Sequence, residues 1–287
     1  MTAVDWARVE RATVDLEQRY WYTYSAPVSD MRQRLIMIPP DERGQQRLLS
    51  FELDIRGAEL GFQSTWATDA FGNRVCHVEA PRVARMIEFA AHYTVERWSA
   101  INSGPTSGWD MYREATALTA PDERLREVAD GIASRTNHAR ERAEGAHDWA
   151  AGAITFQIGV TGVRTPAAMA LHLGRGVCQD FAHLLLCVLR LLAIPARYVS
   201  GQLLGEGVPH AWVECLVDGE VIAYDPTHGR CARLDYVTVA VGRDFADVTP
   251  TSGVFSGAAT GVLGAAKTAR VLSLHPRPSD AADDAAA

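Results

Sequence analysis

Gly174-Arg175-Gly176-Val177-Cys178-Gln179-Asp180-Phe181-Ala182-His183 is the stretch on which the reading of this chain turns. An apolar run from Leu184 to Leu192, broken only by Cys187 and Arg190, follows it. A buried helix is therefore predicted to begin near Cys178. The Gly-x-Gly ahead of it reads as a sharp, open turn. A thiol at a helix start faces unpaired backbone N–H groups and the positive end of the macrodipole, and both favour thiolate over thiol. The thiolate is the nucleophile. With a histidine and a carboxylate in reach, Cys178 heads an acyl-transfer site. Without them it is a small residue at a helix start.

The chain after Pro195 supplies both partners. Ala196–Leu204, His210–Val217 and Glu220–Asp225 read as strands, and Asp218-Gly219 is a two-residue hairpin turn. That turn sets Val217 opposite Glu220 and, counted back along both strands, Trp212 opposite Asp225. Opposed residues share a sheet face, as do residues two apart along a strand. His210 and Asp225 are thus diagonal neighbours on one face, roughly 7 Å apart between Cβ atoms, within reach of an imidazole–carboxylate hydrogen bond. The Cys178 N–H is available to an oxyanion. A second donor has no clear position, and Gln157 is the candidate because it precedes the cysteine helix. Trp212 shares the face of His210, either shielding the site or lining the acyl pocket, or else as a core aromatic. His183 reads as a hydrogen-bonded packing residue and Asp180 as a helix-start carboxylate with no catalytic role. Arg243-Asp244 reads either as a buried ion pair or as a substrate contact.

Gly176 to His183, Ile194-Pro195-Ala196-Arg197-Tyr198-Val199-Ser200-Gly201, His210-Ala211-Trp212-Val213-Glu214 and Asp225-Pro226-Thr227 together resemble the motifs of the bacterial transglutaminase-like superfamily. The resemblance implies an α+β fold: a papain-like core, with a cysteine-bearing helix packed on an antiparallel sheet, preceded by a small antiparallel β domain. It implies the triad Cys178, His210 and Asp225, the set the hairpin also selects. Val239 to Val248 resembles the segment that closes this core, and Tyr20–Val78, with Asp69-Ala70-Phe71-Gly72-Asn73, resembles the fused β domain. His228 is a departure, standing where many relatives carry Asn after Asp-Pro-Thr. The implied chemistry is acyl transfer on an amide through a thioester, ended by water or by an amine, and many bacterial relatives are regarded as peptidases. It requires neither metal nor organic cofactor. A non-catalytic binding module on the same fold is the alternative.

Organisation and composition agree with a globular protein. Of 287 residues, 47% are hydrophobic and 22% charged, and the net charge is −7. The acidic balance argues against nucleic acid as the main partner; a peptide or small amide is the substrate that the resemblance implies. No apolar run approaches the roughly 18–20 residues of a membrane span, and Met1 to Tyr24 lacks the apolar core of a signal peptide. A cytoplasmic location is expected. Cys76, Cys178, Cys187, Cys215 and Cys231 form an odd, scattered set, read as reduced thiols rather than a disulfide framework or zinc site; Cys187 reads as core, Cys215 and Cys231 as structural, and Cys76 lies in the β domain without a partner. Strands are predicted at Arg32–Ile38, Leu48–Ile55 and Arg74–Val78, the second with alternating Leu49, Phe51, Leu53 and Ile55. Helices are predicted after Asp122, over Arg135 to Ala150 as a solvated segment that includes His147, and after a Thr165-Pro166 cap. The domain boundaries that follow are 1–110 for the β domain, 111–260 for the core and 261–287 for a C-terminal segment ending in a disordered run from Asp280 to Ala287.

Overall fold

Alternation of buried and exposed residues organises the first part of the chain into long antiparallel strands; the computed structural model describes residues 4–99 and 107–277. Strands β1 (Val9–Tyr24), β2 (Val28–Leu35), β3 (Gln46–Ala58), β4 (Gln63–Thr68) and β5 (Arg74–Trp98) form this unit. β5 is its spine. Along one edge it pairs with β2 and then β1, along the other with β4 and then β3. The strands predicted at Leu48–Ile55 and Arg74–Val78 are present but longer, while the one read at Arg32–Ile38 is shifted to Val28–Leu35, so Ile36 to Ile38 fall outside it. In β3 a bulge between Leu48 and Ser50 breaks the alternation, so Leu49 and Phe51 are exposed rather than half-buried.

The middle of the chain is helical. Asp122 caps α1 (Glu123–Ala133), its Oδ1 accepting from Leu125 N at 2.9 Å. α2 (Ala139–Ala153) buries Ala143, Ala146, His147 and Ala150 against its neighbours, which corrects the reading of this segment as solvated. Its apolar face is built from alanines too small to outweigh the charged residues in a hydropathy pattern. β6 (Thr155–Phe156) leads to α3 (Ala167–Leu173), where Pro166 is itself the N-cap, one residue later than predicted. β7 (Arg175–Gly176) pairs in parallel with β6 and runs directly into α4 (Cys178–Leu191). α4 is buried from Gln179 to Arg190, wrapped by the other helices and by one face of the second sheet.

That sheet contains β8 (Ala196–Leu203), β9 (His210–Val217), β10 (Glu220–Asp225), β11 (Arg230–Cys231) and β12 (Tyr236–Gly242), in the order β11-β10-β9-β8-β12. β12 is an edge strand, yet its edge is not bare. Gln46 Nε2 donates to Thr238 O at 2.8 Å while Gln46 Oε1 accepts from Thr238 N at 2.9 Å. Asn73 does the same for Val241, at 2.7 and 2.9 Å. Two side-chain amides of the β domain thus satisfy the edge as a further strand would. Val237 and Val239 pack into the core of the β domain, while Ala240 belongs to the helical core.

The chain then returns. β13 (Thr251–Ser256) pairs with β2 and β14 (Gly261–Pro276) with β1, so among the described residues the first sheet has seven strands. Residues 251–276 therefore belong with the β domain, against the boundaries read at 260 and 261. β14 is an edge strand with mostly exposed side chains, Lys267 excepted, and so carries no alternating signal. The run read as disordered, Asp280 to Ala287, lies outside the described residues.

Replacing Asn73 by Ala should leave the Val241 N–H and C=O buried and unpaired, at a cost of about 2–4 kcal/mol for the two groups. Urea unfolding measures this; a loss below about 0.5 kcal/mol, the range of a bland surface change, would show that the amide does not carry the edge.

Candidate active site

Three elements meet at the proposed nucleophile. Val177 is the extended N-cap of α4, and the Asp180 carboxylate reaches back to accept from Val177 N at 2.8 Å and from Thr161 Oγ1 at 2.6 Å. This return contact is half of a capping box. It needs Gly176, because a Cβ there would stand 2.6 Å from Asp180 Oδ2. Burial raises the Asp180 carboxyl above its usual range, against the hydrogen bonds from Thr161 and Val177. Asp180 is thus structural. Cys178, half-buried, is the first helical residue, and its N–H lies outside the helical ladder.

The second element is the β9–β10 hairpin. Asp218 at φ 52° and Gly219 at φ 82° make the turn, with Val217 opposite Glu220 and Val213 opposite Tyr224. These pairs follow the register counted from the sequence, and just beyond them His210 Nε2 donates to Asp225 Oδ2 at 2.8 Å. With Nε2 committed there, Nδ1 is the nitrogen left to interact with Cys178. The structure thus brings Cys178, His210 and Asp225 together. Trp212, buried, stacks on His210 with ring centroids 6.3 Å apart.

Asp225 is fully buried and gathers donors from every side. Besides His210, its Oδ2 accepts from Tyr236 Oη at 2.6 Å and His228 Nδ1 at 2.7 Å; Oδ1 accepts from Thr227 N at 2.9 Å. Burial alone would raise this carboxyl, but the hydrogen bond and charge of His210, with hydrogen bonds from Tyr236 and His228, hold it well below the usual carboxylate range. His210 shows the converse. Burial lowers its pKa, yet the hydrogen bonds and charges of Asp225 and Cys178 outweigh that and lift it to about 10. A cationic imidazole beside the sulfur is the counter-ion that a thiolate needs.

Gln157 arrives through the β6–β7 pairing. Its N–H donates to Gly176 O at 2.8 Å, which sets it beside the turn into Cys178, with an exposed side chain whose Oε1 accepts from Arg175 Nη1 at 3.3 Å. His183 accepts from Phe245 N at 3.2 Å and is held neutral by burial, its pKa near 3; it is the packing residue expected. Arg243 pairs with Asp247 rather than Asp244. Cys76, Cys187 and Cys215 are buried, but Cys231 is exposed, unlike the structural thiol predicted.

Sequence reasoning missed four groups. Tyr236 arrives on β12. His147, far from solvated, stacks on Tyr224 and places Nε2 3.3 Å from Asp225 O. Glu206, in the loop 204–209, sets Oε2 3.4 Å from His210 Nδ1 and Oε1 3.2 Å from His228 Nε2. Lys267, buried on β14, anchors that loop by donating to Leu203 O at 3.1 Å and Val208 O at 2.9 Å; burial lowers its pKa to about 8. Only the Asp-Pro-Thr-His motif offered a signal, and it pointed to His228.

Residues 126–226 match the transglutaminase-like superfamily core, and residues 14–96 match the bacterial transglutaminase-like N-terminal region. The chain belongs to the transglutaminase-like superfamily. A crystal structure from Cytophaga hutchinsonii, described as a candidate cysteine protease, shares the transglutaminase-like fold: TM-score 0.76 at 20% identity, covering 93% of this chain and 92% of that one. An uncharacterized protein of Mycobacterium leprae is 40% identical over 159 residues, 52% of this chain and 56% of its own length. One from Mycobacterium tuberculosis is 34% identical over 117 residues, 35% of this chain and 37% of its own. The chain thus spans about half or less of these relatives.

Because the folded His210 pKa lies near 10, above the ordinary 6.5, its pairing contributes stability that is complete below pH 6.5 and lost as pH rises toward 10. The stability difference between the wild type and His210→Gln should therefore shrink over that window. Chemical denaturation at a series of pH values checks it, and a pH-independent difference would contradict the assigned charge state.

Proposed function

We propose that this member of the transglutaminase-like superfamily hydrolyses an amide of a peptide or small molecule through a Cys178 thioester. Superfamily membership supports the coarse chemistry, cysteine-dependent acyl transfer. The observation that carries the thioester mechanism is His210 standing between Cys178 and a buried, ionised Asp225, an arrangement that serves water or an amine as acceptor. The Cys178 sulfur attacks the carbonyl carbon, and the Cys178 N–H with the Gln157 amide holds the tetrahedral oxyanion. His210 Nδ1–H then protonates the departing amine as the C–N bond breaks. Water, giving its proton to the same nitrogen, attacks the thioester; the C–S bond breaks, releasing the acid and restoring the Cys178 thiolate beside a cationic His210. Asp225 keeps the ring oriented and stabilises its cationic form. Trp212 acts by excluding water beneath His210, and the exposed Phe156 and Ile158 flanking Gln157 offer an apolar rest for the acyl side of the substrate.

Iodoacetamide near neutral pH should alkylate Cys178 at least about ten times faster than Cys231, the other thiol that is not buried, and His210→Ala should abolish the advantage. Mass spectrometry with peptide esters and amides should then trap an acyl adduct on Cys178 that is absent in Cys178→Ala. Discharge by water rather than by added primary amines separates hydrolysis from transamidation. Equal labelling of both thiols would favour a binding module instead.

A further inference from the structure

Asp225 Oδ2 takes the Nε2–H of His210 at 2.8 Å and the Nδ1–H of His228 at 2.7 Å. An ionised carboxylate only accepts, so each ring commits a proton there and turns its other nitrogen away. Both outward nitrogens meet one side chain. His210 Nδ1 lies 3.4 Å from Glu206 Oε2, and His228 Nε2 lies 3.2 Å from Glu206 Oε1. One divalent cation in place of the ring protons would meet both outward nitrogens and the carboxylate between them.

We propose that Glu206, His210 and His228 form a binding site for a divalent transition ion of the zinc type, and that its occupation switches the cysteine site off. One donor atom from each residue lies within 4.8 Å of the other two. Ligands 2.0–2.1 Å from a tetrahedral zinc stand about 3.3 Å apart; His210 Nδ1 has that spacing to Glu206 Oε2 and His228 Nε2 to Glu206 Oε1, so a small turn of the carboxylate, on its partly exposed loop, would bring one oxygen to both nitrogens. Two imidazoles and a carboxylate are a zinc donor set, leaving the fourth position to water. Hard ions such as calcium demand more oxygens than this cluster holds. Metal-binding imidazoles are ordinarily oriented by a carboxylate on the far ring nitrogen, and Asp225 does this for both rings at once. Lys267, gripping Leu203 O and Val208 O, fixes the loop that carries Glu206.

The consequence for activity rests on the hydrolase reading. A metal on His210 Nδ1 occupies the lone pair that takes and returns the catalytic proton, so metal and catalysis exclude each other. Metal binding itself does not depend on that reading, and the two are measured separately. Competition with a chromophoric chelator reads the affinity of the whole chain for Zn2+ alone. One equivalent should bind at micromolar or tighter Kd. Glu206→Gln, in a partly exposed loop, and His228→Asn should each weaken it at least about ten-fold. Cys178→Ala should change it less than about three-fold, since the sulfur is outside the cluster. Saturating Zn2+ should protect Cys178 from iodoacetamide, and EDTA should restore labelling. No stoichiometric competition, or an affinity lost only with Cys178→Ala, overturns the site. Slow labelling in EDTA with zinc binding intact instead overturns the hydrolase reading and leaves the metal site standing.

Discussion

A carboxylate with no exposed surface must be either neutralised or surrounded, and Asp225 is surrounded. Its two oxygens accept from two imidazoles, a phenol and the backbone of its own turn. Losing any one donor leaves part of a buried charge unpaired, which is among the costlier defects a core can hold. This demand fixes more than the carboxylate. It sets the ring plane and proton position of His210, and so which nitrogen faces Cys178. It holds Tyr236, and with it the placement of β12 beside β8. It also turns His228 toward the loop that carries Glu206.

The β domain is therefore no appendage to the helical core. Gln46 and Asn73 complete the open edge of β12, and Gln202 Nε2 donates to Gln18 Oε1 at 2.9 Å across the same boundary. Ile36 and Val75 sit in the helical core, while Leu234, Val237 and Val239 sit in the β core. With apolar residues exchanged in both directions, neither unit has a closed core of its own. The returning strand β14 adds Lys267, a charge that the interior tolerates because two carbonyls accept from it. A strand at the far end of the chain thereby steadies a loop beside the catalytic histidine.

At the other end of α4, Arg190 plays a comparable structural part. Its guanidinium donates to Tyr112 O, Thr119 Oγ1, Ala196 O and Arg243 O, all from segments outside the helix. Cys178 thus stands at the free end of a helix pinned at its base. A nucleophile placed by a buried, clamped helix holds its geometry better than one on a loop.

What the sequence by itself determined was local. Cys178 at a helix start follows from Gly176, Val177 and the apolar run behind them, and the His210–Asp225 pairing follows from a two-residue turn whose backbone admits one register. Short-range sterics and the period of a strand suffice for both. Only the tertiary structure decided what surrounds them. Tyr236, His147, Glu206 and Lys267 come from four separate elements, and no periodicity relates those elements to the hairpin. The burial of α2 rested on alanines, and the membership of β14 on backbone pairing at an exposed edge; neither leaves a hydrophobic signature. The nucleophile and its base were legible because neighbours in sequence set them, whereas their electrostatic surroundings were not, because a buried charge recruits its partners through space.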